Sequence, residues 1–229
     1  AVYLAGDCYL QKALSTISDR MDKPRPLNPG QIAILDSAVT IFGQVSGDSP
    51  IYILAQQGIA RVYIEQDRLE DAIEPLVNAE TSRPPLWADG VIYESIWTAI
   101  GHLGHIYYEL AQRTEDPEEI SRYRNLALEQ YGKVPQQAIV YDEAVLALAW
   151  FEIDQDNSEI AIRLLETLLD IRSTSPFAYE AWNLLGEGYT KIRDYDKAAE
   201  VFSHLAVTER AVSLINRVID ETRDLDQIR

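Results

Sequence analysis

Ala181-Trp182-Asn183-Leu184-Leu185-Gly186-Glu187-Gly188-Tyr189, continued by Ala198 and Phe202, is the stretch whose reading decides the fold. Trp182, Leu185 and Tyr189 recur at intervals of three and four residues, so they share one face of a helix. Gly186 puts no side chain on that face, and Ala198 offers only a methyl group opposite it. The spacing therefore predicts two helices that cross closely, with Phe202 four residues beyond Ala198 on the same face of the second helix.

Outward from this unit, the rest of the chain reads as copies of it. Ile59-Ala60-x-x-Tyr63, Leu103-Gly104-x-x-Tyr107 and Ala5-Gly6-x-x-Tyr9 repeat the core of Leu185-Gly186-x-x-Tyr189. The interval from Gly186 to Ala198 is 12 residues, and Ala60 to Ala72 and Ala149 to Ala161 match it. From Gly104 to Ala127 it is 23 residues, so the third unit carries an insertion of 11 in its turn or helix ends, and from Gly6 to Ala38 it is 32, longer still. A longer period lies above this one. Ala38, Gly43, Val45, Tyr52, Ala55, Ala60 and Ala72 each recur 89 residues on, as Ala127, Gly132, Val134, Tyr141, Ala144, Ala149 and Ala161, while Phe42 returns as Tyr131. Units one-plus-two and three-plus-four thus read as copies of one larger block.

The pattern Trp182-x-x-Leu185-Gly186-x-x-Tyr189, then Ala198 and Phe202, resembles the tetratricopeptide repeat (TPR), a helix–turn–helix unit of about 34 residues. The resemblance covers most of the chain. It is sharpest in the fifth unit and loosest in the first and third. It implies an all-α, right-handed superhelical TPR-type solenoid, a single array over 1–229 with units near 1–50, 51–86, 87–140, 141–177 and 178–207. A helix over 209–225, with Ala211, Leu214, Ile215, Val218 and Ile219 on one face, would cap its apolar end.

In TPR proteins the first helix of each unit lines a concave side that binds a peptide or helix of a partner. Carried over to this sequence, the groove residues are those off the packed face. They are Asp7 in the first unit, then Gln57, Arg61 and Glu65, then His102, His105 and Glu109. Leu146, Trp150 and Asp154 follow in the fourth unit, and Asn183, Glu187 and Lys191 in the fifth. TPR modules that clamp a C-terminal carboxylate gather Lys, Arg and Asn side chains. Here Arg61 and Asn183 stand far apart with acids between, which disfavours an acidic-tail partner. Trp150 and Tyr108 beside acids suit a mixed apolar and basic peptide.

Local signals set the element ends. Asp22 to Gly30 holds three prolines and reads as a loop, with the second helix resuming over Gln31 to Val45. A long helix is predicted from Trp87 to Gln112, and Pro117-Glu118-Glu119 opens the next. Asp67-Arg68 and Gln155-Asp156-Asn157-Ser158 read as turns, with Ser158 as the cap of the following helix.

Composition bounds the function. With 20 basic and 37 acidic side chains the net charge is −17, which repels phosphate backbones and argues against nucleic-acid binding. Cys8 is the only cysteine, so neither an intramolecular disulfide nor a cysteine-based zinc cage can form. The longest wholly apolar run, Ala144 to Phe151, is far short of the roughly 18 residues of a spanning helix. The chain opens at Ala1 in what reads as mid-helix, the expectation for a piece of a longer protein. His102 and His105 lie three apart with only Glu109 as a third candidate ligand, too few for a metal site. Gly43-x-x-x-Gly47 lacks the Lys-Ser or Lys-Thr of a phosphate loop. Tyr63, Tyr107, Tyr131, Tyr189 and Phe202 are core by spacing, and His204 belongs beside them.

The expectation is a non-enzymatic protein-interaction scaffold with no cofactor and no metal. It would bind an unidentified protein or peptide partner, with no nucleic acid and no membrane insertion by this segment. The style of the array resembles soluble TPR proteins of the bacterial envelope, implying a periplasmic or envelope-associated setting. The rival expectation is a self-assembly module that forms homo-oligomers through repeat surfaces.

Overall fold

The computed structural model describes residues 1–17, 26–84 and 90–207. Among these the regular elements are all helices: α1 (Val2–Ile17), α2 (Pro29–Phe42), α3 (Tyr52–Glu65), α4 (Leu69–Thr81), α5 (Gly90–Arg113), α6 (Pro117–Lys133), α7 (Tyr141–Asp154), α8 (Ser158–Ile171) and α9 (Ala178–Lys191). A further helical stretch over 195–207 is labelled α10. The 209–225 helix expected from sequence, and Trp87, lie outside the described residues.

The chain divides into two compact units, Ala1–Tyr141 and Asp142–Arg229. In the first, α1 packs on α2, α3 on α4 and α5 on α6. These hairpins stack through α2 on α3 and α4 on α5, and the first helices touch in the order α1, α3, α5. In the second, α8 packs on α9. Gly188 of α9 faces Ile162 of α8 and Ile153 of α7, and the Arg172 guanidinium, just past α8, holds the buried Asp142 carboxylate of α7 at 2.9 Å.

The small residues of the repeat do what their spacing predicts. Ala38, Ala60, Ala72, Ala127, Ala149, Ala161 and Ala198 are all buried. At the glycines an aromatic ring fills the space a side chain would take. A Cβ on Gly104 would stand 2.7 Å from the Tyr131 ring, and one on Gly186 would stand 2.6 Å from the Phe202 ring. Phe42 is held twice: a Cβ on Gly6 of α1 would meet its ring at 2.7 Å, and one on Gly58 of α3 at 2.6 Å. With Leu10, Ala13, Leu35 and Val62 around it, Phe42 is only 1% exposed and centres the core of the first two hairpins. Phe202 differs, because its ring covers Gly186 yet remains 41% exposed on α10, the last described helix.

Three turns share one geometry. Asp67, Asp156 and Arg193 have φ of 60°, 60° and 64°, each seven residues after the small residue of its helix, Ala60, Ala149 and Gly186. The next amide in each case donates back across the turn, Arg68 to the Tyr63 carbonyl at 2.9 Å, Asn157 to Glu152 at 2.8 Å and Asp194 to Tyr189 at 2.9 Å. This is the left-handed helix ending that glycine ordinarily supplies, here built from Asp and Arg. It corrects the expectation for Ser158. That residue is already inside α8 and buried, and Asn157 precedes it with its side-chain amide donated to Glu152 at 3.0 Å.

The second helix also starts earlier than predicted, at Pro29 instead of Gln31. The Asn28 side chain accepts from the Gln31 amide at 2.9 Å, and the Gln31 side chain accepts from the Asn28 amide at 3.0 Å. That reciprocal box stabilises the end, and Pro29 needs no donor in the first turn. Pro117 opens α6 as predicted, capped by Asp116, which accepts from the Glu118 amide at 3.0 Å.

Gly58→Ala is expected to destabilise the chain. Overpacking a held ring costs about 1–3 kcal/mol, which exceeds the ~1 kcal/mol that alanine gains over glycine in a helix. Gly132→Ala, whose added methyl would meet nothing within 4 Å, should be neutral or stabilising. Urea unfolding of the two variants reads the opposite signs. By the same measurement, Arg193→Gly should stabilise by about 1 kcal/mol through relief of the left-handed residue. Asp67→Gly should gain close to nothing, because it also gives up a pairing with Arg113 worth about 0.5–1 kcal/mol.

Candidate functional site

The residue following each small residue of a first helix points away from the helix crossing. The five are Asp7 after Gly6, Arg61 after Ala60, His105 after Gly104, Trp150 after Ala149 and Glu187 after Gly186. Arg61, His105 and Trp150 are exposed, Trp150 by 44%, while Asp7 and Glu187 are half-buried. The opposite sides of these helices explain it. Ile59, Ala60 and Val62 bury the inner face of α3, as Leu103, Gly104, Ile106 and Tyr107 bury that of α5.

In the first unit the structure sorts the sequence candidates into two kinds. Arg61 and His102 are exposed, while Gln57 is half-buried and its amide donates to the Ser95 carbonyl of α5. Gln57 therefore joins two first helices instead of facing outward. His105 lies 3.9 Å from Glu109, and Glu109 accepts from Arg113 at 2.6 Å. Arg113 also reaches Asp67 of the α3–α4 turn at 2.6 Å. The hydrogen bonds to Asp67 and then Glu109 hold this guanidinium above its ordinary value, so it stays charged at any working pH. Asp7 accepts from Gln11 of its own helix, at 3.4 Å.

In the second unit Trp150, Asp154 and Asn183 are exposed, and Leu146 and Glu187 are half-buried. Lys191 donates to the Ile153 carbonyl at 3.0 Å, so it ties α9 to α7. Sequence reading missed a second cluster here. The Tyr189 hydroxyl donates to the Glu166 carboxylate, and Lys197 stands 5.0 Å from the Tyr189 ring centre. Burial, and then the Glu166 hydrogen bond, hold the Tyr189 phenol well above its ordinary value. Trp182 packs on His204 with ring centres 4.7 Å apart, which places His204 beside the aromatic core as its spacing suggested. Only the three-residue offset of Tyr189 from Gly186 hinted at this cluster, since Glu166 comes from the preceding hairpin.

Among the described residues no three His, Cys, Asp or Glu side chains gather as metal ligands. No described helix is long and apolar enough to cross a membrane. Among the described residues the outer faces offer hydrogen bonding, charge and the exposed Trp150 indole.

No protein-family model matches the chain, and no curated protein matches it. Solved structures do. A "putative kinesin light chain" with "nearly identical TPR-like repeats" from Podosopora anserina superposes with a TM-score of 0.54 at 15% identity, over 92% of this chain and 94% of that one. MamA superposes with a TM-score of 0.57 at 17% identity, over 82% of this chain and 98% of that one. BtubC (BKLC) from P. vanneervenii does so with a TM-score of 0.57 at 14% identity, over 92% and 91%. With these likenesses, the paired helices and the glycine–aromatic crossings, the chain has the fold of an all-α, TPR-like helical-repeat protein.

The exposure of Trp150 is open to direct measurement. Trp150→Phe should lower the acrylamide-quenchable share of tryptophan emission, whereas Trp182→Phe, which removes a half-buried indole packed at a tilt against His204, should raise it.

Proposed function

We propose that the chain is a protein-interaction scaffold that takes a peptide or helix of a partner on the outer faces of its first helices. The observation that carries this reading is the exposure, in each unit taken by itself, of residues after the small positions. Arg61, His105 and Trp150 are kept out of the core by the repeat itself, so they are free to vary without loss of packing. A helical-repeat fold presents such a surface by stacking, and recognition of a helix or extended segment needs no pocket. The TPR-like fold supports a protein partner. The net charge of −17 favours one that brings basic side chains.

On this reading the two units act as one TPR array and the protein is not an enzyme. An envelope setting in bacteria belongs to the same proposal. Self-assembly is a second reading, supported by α1, where Leu4 is 63% exposed and Tyr9 40%. Light scattering after size exclusion separates the two readings, because a concentration-independent oligomer would put self-assembly first.

The decisive experiment is capture of partners by the whole chain beside an Arg61→Glu, Trp150→Ala variant, followed by titration of the captured protein. The scaffold reading expects a partner whose affinity drops by about tenfold or more in the variant, roughly 1.4 kcal/mol. Equal capture by both proteins would show that the first-helix faces are not the site.

A further inference from the structure

A separate surface of the first unit has a more defined chemistry. We propose that the cleft between the start of α2, the α3–α4 turn and the end of α5 is a docking site for a basic peptide segment of a protein partner, anchored by an apolar side chain. The cleft has a volume of about 990 Å³ and borders the first-helix faces only at Glu65 and Glu109. It would stand even if those faces bind nothing.

Two features select the occupant. The walls are apolar where α2 meets α3: Leu27, Ile32 and Ile64 line the cleft, and Ile32 is exposed and so open to contact by an apolar side chain. The rim is acidic. Asp36, Glu65, Asp67 and Glu109 face two cations, Arg68 and Arg113. Both cations are already committed, Arg68 to Asp71 at 2.7 Å and Arg113 to Asp67 and Glu109 at 2.6 Å. Asp36 receives only the neutral Gln66 amide at 2.8 Å, and no ion pair reaches Glu65 among the described residues.

Asp36 and Glu65, which take part in no ion pair among the described residues, offer acceptors for a lysine or arginine next to an apolar wall. A phosphate-bearing or acidic ligand meets the opposite field. A cleft bounded by α2, α3 and α5 also accommodates a segment of several residues, so a leucine-like anchor can seat between Leu27 and Ile64 while flanking cations meet Asp36 and Glu65.

The test uses the whole chain and a fluorescein-labelled synthetic peptide of about twelve residues, with two leucines at helical spacing among lysines. Anisotropy is read at about 0.15 M salt, where long-range attraction to the acidic surface is screened. Wild type should bind this probe, and a glutamate-for-lysine version of the peptide should not bind. Asp36→Lys with Glu65→Lys should weaken binding by about tenfold or more, and Asp36→Asn with Glu65→Gln by a smaller factor. Ile32→Asp should also weaken it. Glu118→Lys with Glu119→Lys, the same charge change on exposed α6, should alter it by less than about twofold.

Circular dichroism of each variant checks that the helices persist. Absence of probe binding by wild type would overturn the proposal. So would equal weakening by the α6 pair, which would mark general charge attraction. Loss confined to Arg61→Glu with Trp150→Ala would move the peptide to the first-helix faces, overturning the cleft while upholding the scaffold reading. Cleft-specific loss with unchanged partner capture by that same variant would do the reverse.

Discussion

The ring of Phe42 between Gly6 and Gly58 is the contact on which the first unit depends. A helix pair can approach only as closely as its facing side chains permit, and a ring lying directly on a glycine leaves no room for a Cβ there. Because Gly6 belongs to α1 and Gly58 to α3, one aromatic group fixes both the crossing inside a hairpin and the stacking between hairpins. Tyr131 on Gly104 repeats the first half of this arrangement, as does Phe202 on Gly186. The buried alanines at the matching positions then need only be small.

The turns carry the second constraint. A residue with φ near 60° seven positions after Ala60, Ala149 and Gly186 ends the first helix of those hairpins and turns the chain back. Asp67, Asp156 and Arg193 accept a conformation that glycine would adopt at lower cost. At Asp67 the side chain offsets part of that cost by pairing with Arg113 across the stack. The first unit's extended connection replaces such a turn and instead relies on the Asn28–Gln31 box to begin α2.

The outer surface follows from the same geometry. Once the small residue and its neighbours at three and four positions are turned inward, the next residue lies off the packed face, exposed at Arg61, His105 and Trp150 and half-buried at Asp7 and Glu187. Spacing therefore places Arg61, His105 and Trp150 off the packed face, while a binding role for them is what the TPR resemblance implies. The roles of Gln57 and Lys191 could not be read from spacing, because each bonds a backbone carbonyl on another helix, Ser95 and Ile153, and such a partner leaves no periodic trace. The same holds for the acid-rich cleft. Asp36, Glu65 and Glu109 sit on three helices, and only stacking brings them to one rim.

The sequence by itself determined the helical hairpins, their small-residue crossings and the 12-residue interval, because these are local: a period of 3.6 residues and a glycine or alanine opposite an aromatic ring suffice. It also determined that the surface is acidic. The tertiary structure alone decided that Phe42 serves two hairpins, that Asp67, Asp156 and Arg193 take a left-handed conformation, and that Tyr189 is joined to Glu166. It decided too which polar side chains remain available and which are consumed in holding one helix to the next. Those outcomes depend on distances between residues far apart in the chain, and such distances arise only when the hairpins stack.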